Sequence, residues 1–509
     1  MPALIIHGHF YQPPRENPWT GVVEAEPGAA PFHDWNERIH SECYQPNAGV
    51  RLLDPATGLE RMVNNYANIS FNFGPTLLSW LKDQHPDTYA DIIEADKQSA
   101  RARAGHGNAI AQAYGHPILP LCNERDRQTQ IQWGLADFRE RFGREAESIW
   151  LPETACNDDV MAVLIEAGLR FVILAPHQAS RVRAIDHDEW LDVNEQTIDT
   201  GIAYRYSHRD GSDRSIVVFF YDGPTSRAIA FENLLQSSEG LADRFAQAAK
   251  AKELLSVATD GETYGHHFKF GDVCLAHAVE IDAPARALRV TNYGAYLDQH
   301  PPAFEVEISN GPTGEGTSWS CVHGVGRWIR DCGCHTGGEP GWHQSWRTPL
   351  RQALDILRDV NATHFEATRG DLFKDPWQAR DESIALVLDQ SHSRENFLYN
   401  HAGRWLSTAE QWRALTYLEL QRMLLLMYTS CGWFFNDVSG IETIQILKYA
   451  ARAIDLMDQL DLPSIQERFL DMLAEAKSNR TEMGSGADIY RRLVEPLKPS
   501  QTREEALAT

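Results

Sequence analysis

Seven short apolar runs stand out in the first 265 residues, at 4–7, 69–73, 108–112, 148–151, 171–174, 215–220 and 254–258. Most are near-continuous rather than alternating, as expected of parallel strands covered on both faces. Helical stretches lie between several of them, at 75–84, 124–142, 158–167 and 232–255. Strand–helix alternation at this spacing predicts a parallel β/α barrel. The stretch 185–209 breaks the rhythm and predicts an excursion from it. After about Pro302 the pattern changes. Residues 310–349 are rich in Gly, Trp and Cys and predict a long structured loop, and helices dominate from Trp346 on. Among them, 409–428 and 442–459 carry apolar residues at helical spacing. The polar end, 501–509, predicts fraying. The expected organisation is a barrel over 1–302, a loop over 303–345 and a helical domain over 346–500. No internal repeat or low-complexity tract is present.

Composition narrows the partners. The chain has 509 residues, 43% hydrophobic and 23% charged, an ordinary globular balance with room for two or three domains. Its formal net charge of -24 argues against nucleic acid and anionic membrane, both polyanions. A neutral glycan is not repelled, and the 14 Trp and 16 Tyr suit sugar stacking, although most aromatics are core. No secretion signal is expected ahead of the first strand, and no apolar run is long enough to span a bilayer, 423–428 being far too short. Eight Cys do not make a disulfide framework in a chain of this length. The expected location is the cytoplasm. The sequence is silent on oligomeric state.

Chemistry concentrates at the strand exits. Pro152 stops the fourth strand and holds Glu153 at its C-terminal end. Thr259-Asp260-Gly261-Glu262 follows the seventh strand in the same way. That end of a β/α barrel is where catalytic groups sit. Two carboxylates at two strand mouths are what glycoside hydrolysis needs, one for the anomeric carbon and one to protonate the leaving oxygen. The plain alternative is that Glu153 caps the following helix and Asp260 makes a turn. His7 and His9 follow strand one, Asn72 lies in strand two, Gln112 and His116 follow strand three, and Asp222 follows strand six. Such placement predicts a polar pocket at one face. His7 and His9 alternate along their strand, so both are expected to point inward only if its end bends. They read as sugar ligands by position, with core or metal roles as the alternative. His266, beside His267, reads as either pocket-lining or a surface residue.

These residues carry a resemblance. His7-Gly8-His9, Trp150-Leu151-Pro152-Glu153 and Asp260-Gly261-Glu262 with Tyr264-Gly265 resemble the first, third and fourth motifs of glycoside hydrolase family 57. The chain is similar in particular to the subgroup with a C-terminal domain of unknown function of the DUF3536 type, on Thr429-Ser430-Cys431-Gly432-Trp433-Phe434-Phe435. The resemblance implies an incomplete TIM-type (β/α)7 barrel followed by a helical region. It implies a retaining hydrolase or transglycosylase on α-linked glucans, of amylase, 4-α-glucanotransferase or branching type. Glu153 would be the nucleophile and Asp260 the general acid/base, with no cofactor. His7, His9, His116, Trp150, Asp222, His266 and Trp433 would contact substrate, and the helical region would pack on the catalytic face. Two positions depart from the family pattern. His116 stands before Pro117 where the second motif has Glu, and Cys431-Gly432 precede Trp433 where the fifth offers Asp.

Three alternatives stay open. His7, His9 and Asp222 could hold a divalent metal, as in a polysaccharide deacetylase or α-mannosidase-like enzyme on a related barrel. The chain could instead be an inactive glycan-binding protein. Cys321, His323, Cys332 and Cys334 lie within fourteen residues. They read as free thiols in a loop over the cleft, or as a structural zinc site whose spacing is not that of the usual knuckle. Trp319, Arg327 and Trp328, in the same loop, either contact sugar or pin the loop.

Overall fold

The computed structural model describes residues 1–53, 58, 60–389 and 391–499. The expected frayed end, 501–509, lies outside the described residues. Each apolar run is a strand: β1 (Ala3–Phe10), β2 (Ser70–Phe73), β3 (Ala111–Gln112), β4 (Ile149–Trp150), β5 (Phe171–Leu174), β6 (Ser215–Phe220) and β7 (Leu254–Asp260). Parallel ladders join β1 to β2, β3 to β4, β5 to β6 and β7 to β1. Single parallel bridges, Phe71–Ala109 and Ser148–Phe171, join β2 to β3 and β4 to β5. Between β6 and β7 the link is the Asp222 N–H donating to the Ser256 carbonyl at 2.7 Å. The ladder therefore returns to its start. All eight residues of β1 are buried, which is why its run is apolar without alternation. β3 and β4 are shorter than their apolar runs. Asn108 and Ser148 still accept ladder bonds, from the N–H groups of Phe71 and Ala111.

The helices at Pro75–Gln84, Glu124–Phe142 and Asp158–Glu166 follow the expected pattern. The stretch expected as one helix over 232–255 contains a shorter one, Ser238–Ala248. Ser237 caps it, and Leu254 already belongs to β7.

The excursion after β5 extends the sheet. Ala203–Ser207 pairs antiparallel with β6, and Phe304–Ile308 pairs with both Ala203–Ser207 and Ala179–Ala184. Residues beyond 302 are thus sheet, and the compact units differ from the expected contiguous domains. One unit comprises Met1–Gln12, Ala25–Tyr114 and Asp137–Trp319. The other comprises Pro13–Glu24, Gly115–Ala136 and the chain from Ser320 onward. The first is α/β. The second is helical, with Thr408–Leu426 packed along Ile441–Gln459. Gly432 meets the second of these helices so closely that a Cβ there would lie 2.4 Å from Ile446 Cδ1. No helix among the described residues is long and apolar enough to cross a membrane.

Candidate active site

Glu153 sits in a backbone turn that few residues tolerate. After Pro152 it adopts φ 59° and ψ 21°, and Thr154 follows at φ 49°. Left-handed non-glycine residues cost on the order of 1–3 kcal/mol each and persist only when their surroundings hold them. A segment far along the chain does so. Cys156 and Thr317 exchange backbone hydrogen bonds of 2.9 Å, and the Trp319 N–H donates to the Glu153 carbonyl at 2.9 Å. Buried Gln178 donates from Nε2 to the Thr154 carbonyl at 2.8 Å and to Thr317 Oγ1 at 3.0 Å, and its Oε1 accepts from the Ala175 N–H. The Glu153 side chain then accepts from Trp319 Nε1 at 3.0 Å on Oε2. Glu153 does not cap the next helix. Asn157 does, accepting from the Val160 N–H.

Asp260 ends β7 opposite His9 of β1. Its side chain makes no capping bond to the following turn, so the turn-maker reading fails. The residue is exposed as a whole, yet the protein atoms packed around its carboxyl desolvate it. That desolvation, with the negative charge of Glu153 added, pushes its pKa up to about 7. Glu262, two residues on, is buried and accepts from the Tyr44 hydroxyl at 2.7 Å and the Tyr11 N–H at 3.0 Å. Burial pushes its pKa up to about 8; the Tyr44 hydrogen bond opposes this and the charge of Asp260 adds to it. Tyr221 is also shifted upward, by burial and by Asp260.

His7 and His9 face the same side without any bend, because side chains two apart on a strand share a face. Both rings stack on Trp150, with centroids at 4.7 and 5.1 Å. His7 contacts Ser70 Oγ at 3.0 Å through Nδ1 and Asn72 Oδ1 at 3.1 Å through Nε2. Asn72 donates to His9 Nδ1 at 2.9 Å and to Gln112 Oε1 at 2.8 Å. Burial is the main cause that pulls both imidazoles down to about 3, so they are neutral. Trp150 is 1% exposed and supports the histidines from below rather than offering a sugar platform.

Other expected ligands are committed elsewhere. Asp222 caps the helix Gly223–Phe231 through the Thr225 N–H and pairs with Lys252 Nζ at 2.9 Å. It does not join His7 and His9 in a metal set. Among the described residues, metal-capable groups converge at Glu37, His40 and His85 and at Cys321, His323, Cys332 and Cys334. His266 Nδ1 pairs with Glu42 at 2.5 Å, and its ring lies edge-on to Trp35. His116 belongs to the helical unit, where it is buried and its Nδ1 meets Ser430 Oγ at 2.7 Å. Trp433, in the same unit, is 0% exposed. Its Nε1 donates to the Arg347 carbonyl at 3.3 Å, its ring lies parallel to Tyr428, and the Arg351 guanidinium sits 4.5 Å from it. It is a packing residue, the hydrophobic plug between two helices rather than a cleft wall.

Sequence reasoning left Trp319 undecided and missed Glu262 and Gln178 as site residues. Trp319 is half-buried, edge-on to Trp150 at 5.2 Å and near His9 and Tyr221. The one sequence signal for Glu262 was its place two residues after Asp260.

Residues 4–301 match the model of glycosyl hydrolase family 57, and residues 342–506 match a domain of unknown function (DUF3536). The chain is 28% identical over 292 residues to a 4-alpha-glucanotransferase of Thermococcus litoralis, covering 56% of this chain and 39% of that relative. It is 26% identical over 106 residues to alpha-amylase 1 of Dictyoglomus thermophilum, covering 21% of this chain and 15% of that protein. It thus spans well under half the length of these relatives. Its fold is similar to an exo-type maltose-forming amylase from Pyrococcus sp. ST04, with TM-score 0.67, 15% identity, and coverage of 92% and 82% of the two chains. It is also similar to a branching enzyme from Pyrococcus horikoshii, with TM-score 0.53, 14% identity, and coverage of 98% and 97%. The family model covers more than half of the sequence, and the chain belongs to glycosyl hydrolase family 57.

Proposed function

We propose that this protein is a retaining enzyme on α-linked glucans, with Glu153 as nucleophile and Asp260 as general acid/base on an incomplete (β/α)7 barrel. The carrying observation is electrostatic. Two neighbouring carboxyls differ in environment, and Asp260 is raised to about 7 while Glu153 receives an indole N–H. A pair pushed apart in this way can divide acid and nucleophile between them near neutral pH. The seven parallel strands whose pairing returns to β1 support the barrel reading.

In the first step a Glu153 carboxylate oxygen bonds to the anomeric carbon as the glycosidic C–O bond breaks. The Asp260 proton goes to the leaving oxygen. In the second step Asp260, now a carboxylate, takes a proton from water or from a sugar hydroxyl. That oxygen attacks the anomeric carbon and releases Glu153. Water gives hydrolysis and a sugar gives transfer. The chain-matched relatives named above bear names of both kinds.

The test is incubation with maltooligosaccharides, reading product chain length and anomeric configuration. Turnover with retained configuration is expected, lost in Glu153→Gln. Inverted products would remove the nucleophile. No turnover by the wild-type protein on any α-glucan would favour a binding role.

A further inference from the structure

We propose that Cys321, His323, Cys332 and Cys334 of the helical unit bind one structural zinc ion. The ligating atoms of all four residues lie within 4.8 Å of one another. Cys321 Sγ lies 3.8 Å from Cys332 Sγ and 3.7 Å from Cys334 Sγ, and Cys334 Sγ lies 3.4 Å from His323 Nδ1. Zinc–sulfur bonds of about 2.3 Å in a tetrahedron place two sulfurs about 3.8 Å apart, and a zinc-bound nitrogen about 3.6 Å from a sulfur. A disulfide needs sulfurs about 2.05 Å apart, and all three cysteines are free. Three thiolates and an imidazole are a structural zinc donor set, and four protein ligands close the site to substrate. One mononuclear tetrahedron accounts for a single tight cluster, whereas a two-iron centre needs its ligands in two separated pairs.

The backbone is built for this convergence. Gly333, between Cys332 and Cys334, has φ +81°, and Gly324, following His323, has φ +78°. Gly326 lies where a Cβ would come 3.1 Å from Cys332 Cβ and 3.5 Å from His323 Cβ, so glycine lets the two ligand-bearing arms close. The N–H groups of His323 and Arg327 are directed at the Cys321 sulfur, and that of Cys334 at the Cys332 sulfur. Amide donors of this kind stabilise metal-bound thiolates.

Charge supplies an independent argument. Arg347 is fully buried, and its guanidinium donates to three carbonyls, those of Cys334, Trp433 and Phe435. Among the described residues it forms no ion pair: Asp331 acts on it from beyond that distance, and Arg327 adds a like charge. A buried charge without a counter-charge is costly. Zinc with three thiolates and a neutral imidazole carries a net charge of about −1, which would add to the charge of Asp331 in offsetting Arg347 and Arg327. The ion would thus fasten the 321–334 loop to the Trp433–Phe435 turn through Arg347. Of the two readings the sequence left open for these four residues, the convergence favours the structural zinc, which has no part in the glycosidic chemistry.

The test uses the full chain, purified without chelator or affinity metal, with elemental analysis for zinc, iron and nickel. About one zinc per chain is expected, released when the thiols are titrated with a mercurial. Growth with cobalt should give the visible bands of a tetrahedral cobalt–thiolate site. Cys334→Ser should lose most of the metal, and His323→Cys should retain it. Should Cys334→Ser fail to fold, the wild-type metal content and cobalt spectrum still decide. Three freely titrating thiols with no metal, a disulfide among them, or stoichiometric iron would each overturn the proposal.

Discussion

Trp319 holds Glu153 at both ends, its backbone N–H on the glutamate carbonyl at 2.9 Å and its indole N–H on Oε2 at 3.0 Å. One residue, 166 positions away in sequence, thereby fixes the strained backbone and the orientation of the proposed nucleophile. Trp319→Phe keeps most of the ring and removes the side-chain donor. A hydrogen bond to a charged group is worth about 1.5–3 kcal/mol, so kcat should fall by about 10- to 100-fold while the thermal midpoint changes little. Steady-state kinetics with a scan of melting temperature checks this, and unchanged kcat would leave the indole with packing alone.

Glu153→Gln should abolish turnover with the fold intact, because an amide of nearly the same shape is not a nucleophile. Asp260→Asn should lose activity on natural glucans and recover part of it on glucosides with good leaving groups, which need no proton. Equal loss on every substrate would separate Asp260 from the acid role.

The pH dependence follows from the raised carboxyl. Asp260 must be protonated to act as an acid, so kcat/KM should fall as pH rises through about 7. For stability the sign is the same. The folded state binds the proton more tightly than the unfolded chain, whose Asp titrates near about 3.9. That contribution is fully present below about pH 4 and is lost as pH rises through about 7. Asp260→Asn should therefore raise the melting temperature more at pH 8 than at pH 5. In Glu153→Gln the Asp260 titration, followed by isotope-edited NMR, should move down, since one of the causes that raise it is gone.

Gln178 has no contact with either proposed catalytic carboxyl, yet its amide bridges the Thr154 carbonyl and Thr317. Gln178→Ala deprives the buried Thr154 carbonyl and Ala175 N–H of this partner, at about 1–3 kcal/mol. Both stability and kcat should fall, because the turn carrying Glu153 loosens. A drop in melting temperature with full activity would mean the turn is held without it.

Trp433→Ala should destabilise the helical unit by about 3–5 kcal/mol, the usual cost of emptying a buried aromatic site. Glucan affinity of the folded fraction should be unchanged. Weakened affinity with a normal melting curve would return Trp433 to the substrate, contrary to its full burial.

Much of this was legible from local pattern. The seven strands were visible because most are buried on both faces and so read as near-continuous apolar runs, and Pro152 announced where the fourth must end. Glu153 and Asp260 were visible because strand ends concentrate polar groups. Asp222 met the same criterion and misled. A strand-exit aspartate followed two residues later by the helix-starting Pro224 serves equally well as an N-cap, and Lys252 completed its pairing from another segment. His7 and His9 reach the same face with no bend in β1, because residues two apart on a strand point the same way.

The sequence by itself determined most element types, the family and the placement of Glu153 and Asp260 at strand ends, since these follow from neighbours in the chain and from motif spacing. Only the tertiary structure decided that Trp319 serves Glu153, that Trp433 is sealed inside the helical unit, that Gln178 clasps the turn, and that three cysteines and a histidine converge. Each of these depends on loop segments meeting, and where a loop travels is set by the packing of everything around it rather than by its own residues.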